Sequence, residues 1–554
     1  MLNSGSVSVA AIRTRLNGRA ARFGRDEEGS LLIFGLYCFV IMLLVAGIAL
    51  DLMRFEERRT TLQNTVDRAV LAAADLNQTL EPKAVVKDYF LKAGLTPPKD
   101  SDITVDQGAF NEWRTVQASV TEQMPTWFMN MVGVKELTTP ADSTAEERIG
   151  QVEISLVLDV SGSMDSNNRL INLKPAAKEF IDTMFDSVEA GKLSMSIVTY
   201  DTQVSVGPEL MQYFNVTAPH TKSYCMEFDA ADFRTTSMSF GFGPTDRVYR
   251  RNGNFDPFYS SIPPSLYNCS QARKRDIMPF SGDRTALKAV IDGLTADGNT
   301  SIDIAMKWGT ALLDPSMQGV VDSYIAAGKR PAQFGDRPYA YNNKEALKVV
   351  VVMTDGANTT EYKLKPNYQQ GNSIIMGNSS FAANSTSRSQ FSIYNAATNL
   401  YYIMATGQWR AQPYGDGSVT TCGRSSCTTT ADPGDAIPLT WPEVWQKASV
   451  RWVADYLISP AFGTTVRNAW RPGGGETVDA IAAVKDAQTQ DICTAAKSRG
   501  VTIFSIGFEA PTQGQTLLRN CASSPAHYYS ATTVDISTAF SAIASSINKL
   551  RLTN

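Results

Sequence analysis

The stretch "VEISLVLDVSGSM", residues 152–164, decides how the rest of the chain is read. It opens as an apolar run, stops at Asp159, and places Ser161 and Ser163 at steps of two. A short apolar run bounded in this way suits a central strand buried on both faces. In an open α/β sheet, ligands bind where such strands end. A carboxylate and two hydroxyls are therefore expected at a binding edge.

The chain beyond repeats the rhythm. "RLINLKPAAKEFIDTMF" (169–185) spaces Leu170, Leu173, Ala177, Phe180, Ile181 and Met184 as one face of a helix. "KLSMSIVTY" (192–200) reads as a strand, and "RTALKAVIDGL" (284–294) and "SIDIAMKWGTALL" (301–313) as helices. "LKVVVVMTDG" (347–356) and "VTIFSIGF" (501–508) are further buried strands. Strand and helix in alternation predict an α/β fold: a doubly wound, mostly parallel sheet with helices on both faces. Two stretches break the pattern, at about 207–282 and 358–475. Segments this long are rarely structureless, so both read as insertions with small cores of their own. The second holds five of the eight tryptophans: Trp409, Trp441, Trp445, Trp452 and Trp470. These supply either a recognition surface or, the reading favoured by their bulk, a core.

Composition narrows the function. At 554 residues the chain is too long for one ordinary domain. A net charge of -4, with no Lys/Arg tract, argues against nucleic acid as a partner. Two histidines, His220 and His527, leave little room for His-based catalysis or a zinc cluster. The chain has no G-x-x-x-x-G-K-[ST] loop and no G-x-S-x-G elbow, so it reads as a binding protein and not as an enzyme. Of seven cysteines, Cys38 lies in an apolar run; the other six, without a C-x-x-C, suit disulfides in an oxidising compartment, against the alternative of six buried thiols.

"SLLIFGLYCFVIMLLVAGIAL", Ser30 to Leu50, carries no charge and is long enough to cross a bilayer as one helix. Arg13, Arg15, Arg19, Arg22 and Arg25 precede it, which favours a cytoplasmic N-terminus, with residues 1–29 as the tail. Gly47 and Ala49 also offer a signal-peptide cleavage site. However, the helical pattern runs on through 51–80, with Leu62, Val66, Val70 and Ala73 on one face, which fits an uncleaved anchor better. Residues 81–150 form a small linking α+β region. In it "EWRTVQASVTEQ" alternates like a strand, and "PTWFMNMVGV" reads as a short amphipathic helix starting near Pro125.

A glycine before the span, Asp51 after it, then "LQNTVDRAVLAAA" give residues of this segment a resemblance to the N-terminus of TadE/TadG-like proteins of Tad (Flp) pilus assembly. That resemblance implies a single-pass inner-membrane protein with its bulk in the periplasm. No glutamate follows Gly29 within the apolar run, so processing into a pilin-like subunit is not supported.

Two further junctions carry oxygen side chains: Thr300 in "DGNTSID" at a helix start and Asp355 in "VMTDG" at a strand end. With Asp159, Ser161 and Ser163 they form an all-oxygen set suited to a hard divalent ion, Mg²⁺ or Mn²⁺. Few protein charges leave the ion residual positive charge, which favours an added carboxylate from a partner. The order D-x-S-x-S, Thr, Asp resembles the metal-ion-dependent adhesion site (MIDAS) of von Willebrand factor A domains. The resemblance implies that fold for residues 151–554, insertions included, and a metal-dependent protein-binding role. TadG-type proteins commonly carry cysteines in the two positions of Cys493 and Cys521, which makes these the first pair expected. Cys422–Cys427 would close a small loop and Cys225–Cys269 would staple the first insertion, although six cysteines allow fifteen pairings. The expectation is a membrane-anchored component of pilus assembly whose partners are pilus or secretion-complex proteins offering a carboxylate. An envelope or surface adhesin, or an adaptor to a cytoplasmic enzyme, are the alternatives.

Overall fold

The computed structural model describes residues 28–75, 78, 80–107, 113–148, 150–269, 275–343, 345–532 and 535–553. The expected tail, 1–29, lies outside them but for its last two residues. The chain divides into two compact units, 1–149 and 150–554.

In the first unit a single helix, α1 (Glu28–Ala74), contains the apolar run. It is long and apolar enough to cross a membrane, and it is the one such helix among the described residues. Its first half leaves Leu31, Phe34, Tyr37 and Met42 exposed. Its second half buries Leu62, Val66, Val70 and Ala73, the face that periodicity picks out. That face packs with Val85, Val86 and Phe90 of α2 (Pro82–Lys92) and with Ile103, Val116, Ala118 and Ala141 of a small sheet. The sheet is antiparallel, ordered β1 (Ile103–Gln107), β2 (Trp113–Pro125), β3 (Glu136–Arg148). The helix expected in "PTWFMNMVGV" is not formed. Pro125 ends β2 and pairs with Glu136, so the segment is a hairpin tip holding only a short 3₁₀ turn at Met129–Val132. A turn must reverse the chain within ten residues, which leaves no length for a helix; Gly133, at φ 96°, closes it.

The second unit is built on a six-stranded sheet. Its strands are β4 (Gln151–Asp159), β5 (Leu193–Tyr200), β6 (Met278–Ser281), β7 (Ala346–Thr354), β8 (Thr502–Phe508) and β9 (Tyr528–Ala531). They lie in the order β9-β8-β7-β4-β5-β6, all parallel except β6, which runs antiparallel to β5. Every residue of β4 is buried, as a strand covered on both faces requires. One face is covered by α3 (Arg169–Ser187), α4 (Arg284–Asp292) and, at the C-terminus, a helix over Ile536–Thr553. The other face is covered by α5 (Ile302–Ala311), α6 (Lys485–Ser498) and α7 (Thr512–Cys521). The sheet is doubly wound, as the alternation predicts.

Two charges inside the buried strands have a shared explanation. Glu153 of β4 lies opposite Lys348 of β7 in register and the two side chains pair. The Lys348 ammonium also donates to the Leu313 carbonyl at 2.8 Å, and Glu153 accepts from the Tyr339 N–H at 3.1 Å. A buried ion pair is tolerable only with its remaining hydrogen bonds satisfied in this way.

The two insertions differ from each other, and the first differs from expectation. The first lacks a core of its own: Phe214, Phe228, Phe233 and Tyr249 join the sheet's α5 face around Trp308. Its last residues are β6, the sheet's edge strand. The second does form a separate core, with a five-stranded antiparallel sheet. Trp441, Trp445, Trp452 and Trp470 are buried in it, while Trp409 is partly exposed. The core reading of the tryptophans therefore holds for four of the five. Disulfides join Cys225–Cys269, Cys422–Cys427 and Cys493–Cys521.

Candidate functional site

The parallel strands β4 and β7 are neighbours, so their carboxyl ends, Asp159 and Thr354–Asp355, emerge side by side. Asp159 is fully buried. One carboxylate oxygen accepts the Ser161 N–H at 2.8 Å, the other the Thr354 hydroxyl at 2.6 Å. The first bond turns the chain back on itself, the local behaviour expected of Asp followed by a turn. It brings the Ser161 and Ser163 hydroxyls within 3.1 Å of each other. Ser163 then donates to Asp355 at 2.7 Å. Four of the five residues singled out by sequence thus form one hydrogen-bonded chain, although Asp159 and Asp355 are far apart in sequence.

Thr300 reaches the same place by a loop. Gly298 accepts the Gly162 N–H at 2.9 Å, which ties this loop to the serine turn. Gly298 has φ of 79° and lies against Asp201 and Thr202, a position that glycine alone fills without strain. Thr359 donates to the Thr300 carbonyl and accepts its N–H, both at 3.0 Å. Ser301 donates to the Thr202 carbonyl at 2.8 Å. A methyl placed on Gly356, next to Asp355, would lie 3.3 Å from the Thr300 hydroxyl. Thr300 is therefore adjacent to the Asp355 turn, but no hydrogen bond links its side chain to the other four.

Electrostatics at the site favour a cation. Burial and, after it, the nearby Asp355 charge push the Asp159 carboxyl up to about 7, against the hydrogen bonds from Thr354 and Ser161. Two carboxylates share this desolvated corner, which favours a proton or a cation beside them. Among the described residues there is no group of three His, Cys, Asp or Glu side chains suited to a metal. A metal at this corner would thus rest on hydroxyls and two carboxylates, and that donor set fits Mg²⁺ or Mn²⁺.

Sequence reasoning missed one charge. Arg169, at the start of α3, donates to Asp355 at 2.8 Å and to Glu509 at 3.0 Å, and reaches the Ser163 carbonyl at 3.3 Å. Its guanidinium supplies part of the positive charge that the corner lacks. Glu509 follows β8 directly, so the rule that ligands gather at strand ends was a signal that pointed to it. Nothing in the spacing of Arg169 marked it out.

Residues 29–76 match the Tad family of Flp pilus-assembly TadE/G-like proteins. The match covers the apolar helix and its continuation and says nothing of residues beyond them. No curated protein is similar enough to the chain to stand as a relative. Among solved structures, the chain is similar to the vWF domain of the type V pili tip protein Mfa5 from Porphyromonas gingivalis. Identity is 14%, coverage 73% of this chain and 96% of that one, and the TM-score 0.28. It is similar also to the PilB minor pilin from Streptococcus sanguinis (12% identity, 81% and 77% coverage, TM-score 0.26). The pilus adhesin SpaC from Lactobacillus rhamnosus GG gives 11% identity, 81% and 33% coverage, and a TM-score of 0.30. Scores this low carry no argument about this chain.

Proposed function

We propose that this protein is a membrane-anchored, metal-dependent docking component of a Tad/Flp-type pilus assembly system, with its second unit on the periplasmic side of the inner membrane. The hydrogen-bonded cluster Asp159–Ser161–Ser163–Asp355 at the carboxyl edge of the sheet carries the reading. The Tad-family match over 29–76 supports the pilus setting, and the long apolar helix supports the anchor. Asp159, Ser161, Ser163, Thr300 and Asp355 would hold Mg²⁺ or Mn²⁺. A bound ion would supply a Lewis-acidic position able to take a carboxylate from a pilus or secretion-complex protein. The chain's own part is to hold the hydroxyls in place: Asp159 fixes the serine turn through its bond to the Ser161 N–H, and the Thr202 and Thr359 contacts fix the Thr300 loop. The role is binding, without turnover.

Crosslinked pull-downs of the tagged full chain from native membranes test this, with Mg²⁺, with chelator and with Asp159→Ala. Recovery of pilus or secretion components that is lost with chelator and with the variant supports metal-dependent docking. Recovery indifferent to both would assign the contacts to the insertions or the anchor. Recovery of none would sink the pilus setting and favour an adhesin acting on an external ligand.

A further inference from the structure

The β2–β3 hairpin of the first unit ends in "TWFMNMVGV", residues 126–134, a stretch without a charged side chain. Trp127, Met131 and Val132 of this tip are exposed, by 61%, 74% and 54%. Apolar side chains grouped so on a turn need an apolar partner.

The tip is fastened to α1 at one level. Asp51, the first residue after the apolar run, is fully buried and accepts three consecutive backbone N–H groups. Trp127 donates at 3.0 Å, Phe128 at 2.7 Å and Met129 at 2.8 Å. Arg54, one turn along, pairs with Asp51 at 3.5 Å and stacks over the Trp127 ring at 3.6 Å. The Phe128 ring lies on Gly47, where a methyl would sit 2.4 Å from it. Gly47 is inside the apolar run, about 6 Å below Asp51 along the helix axis. The tip therefore overlaps the last turn of Ser30–Leu50 and does not stand clear of it.

We infer that this hairpin tip is a second membrane contact, seated in the interfacial layer of the bilayer beside the end of the helix. The inference rests on the reading that Ser30–Leu50 spans a bilayer. If it does, Phe128 lies at the edge of the hydrocarbon. Trp127 lies at headgroup level, where amphipathic indole rings concentrate, and Arg54 beside it reaches the phosphates. Met131 and Val132 supply the apolar area that a monotopic contact needs. The three bonds to Asp51 make the hairpin rigid relative to the span. Helix and hairpin together then restrain the tilt and rotation of the first unit at the membrane, which one helix cannot do.

The full chain reconstituted into phosphatidylcholine–phosphatidylglycerol vesicles provides the test. Flotation after alkaline carbonate reports the span. The Trp127 contribution is the difference in fluorescence between the wild type and Trp127→Phe, measured with lipids brominated near the glycerol end or near the chain ends. The expected result is a loss of about twofold or more with shallow bromines and less with deep ones, as for an interfacial indole. A polarity-sensitive dye on Met131→Cys, in a Cys38→Ala background, gives a second readout at an exposed site and is expected to shift blue on reconstitution. Chain that floats while neither signal responds to lipid overturns the inference and leaves the span intact. Chain that fails to float overturns both.

Discussion

At the scale of single residues, the corner between β4 and β7 makes the sharpest predictions. The folded Asp159 carboxyl holds its proton up to about pH 7 because it is buried near Asp355. An unfolded aspartate loses its proton at about pH 4. Between those values the folded state binds the extra proton, so stability of the metal-free protein falls as pH rises through the window. Mg²⁺ needs the carboxylate, so its binding strengthens over the same range. Thermal melts with Mg²⁺ and with chelator should show a larger Mg²⁺-induced rise in Tm at about pH 8 than at about pH 5; a rise that is equal or smaller at the higher pH defeats the assignment. Asp159→Asn should abolish the Mg²⁺ effect and flatten the pH dependence. Arg169 makes the opposite kind of prediction. Its guanidinium neutralises Asp355 and so competes with a metal for that charge. Arg169→Gln should tighten Mg²⁺ binding by about three- to tenfold, or ~1 kcal/mol, as isothermal titration would measure. Weaker binding would mean that the arginine orders the site and does not compete for it.

At the scale of elements, α5 packs closely on β4. A methyl on Gly309 would sit 2.5 Å from a Val157 methyl in the core. In an exposed helix Gly→Ala stabilises by about 1 kcal/mol, since glycine is the weaker helix former. Here the sign should reverse: Gly309→Ala should destabilise by about 1–3 kcal/mol, the usual cost of overpacking, in chemical denaturation. The same comparison shows how far local pattern carries. Helical spacing found six of the seven buried residues of α3, all but Ala176, because an amphipathic face is a local property of the sequence. It failed at "PTWFMNMVGV", where apolar residues at helical spacing belong to a turn whose contacts lie on a distant helix.

At the scale of the whole molecule, the three disulfides divide by loop length and exposure. Cys225 and Cys269 are fully buried and close a separation of 44 residues; Cys493 and Cys521 are buried and close 28. Cys422 and Cys427 are exposed at the tip of a hairpin and close only 5. Loop-closure entropy gives about 4 kcal/mol for the longer two and about 2 kcal/mol for the short one. The short one constrains a hairpin whose strands are exposed along their length, so much of even that is spent locally. Replacing both Cys493 and Cys521 by Ala should lower Tm markedly, whereas the same change at Cys422 and Cys427 should leave it nearly unchanged. Among the six bridged cysteines, mild reductant followed by alkylation and mass spectrometry should label Cys422 and Cys427 first.

What the sequence determined alone is whatever a local pattern encodes: the apolar span, the strand–helix alternation, most of the buried face of α3, and the oxygen side chains of Asp159, Ser161, Ser163 and Asp355 at strand ends. Parallel strands of an open sheet end at one edge, so Asp159 and Asp355 were expected at a common edge; the strand order made them neighbours. Tertiary structure alone decided which partners long-range contacts supply. Arg169 pairs with Asp355 and Glu509 across three elements. The first insertion packs Phe214, Phe228, Phe233 and Tyr249 around Trp308 on the sheet's α5 face instead of building a core of its own. Asp51, read from sequence as a residue flanking a membrane helix, instead holds a hairpin from 76 residues away. Each of these depends on where the chain returns in space, and a charge or ring carries no local mark of the partner it will meet there.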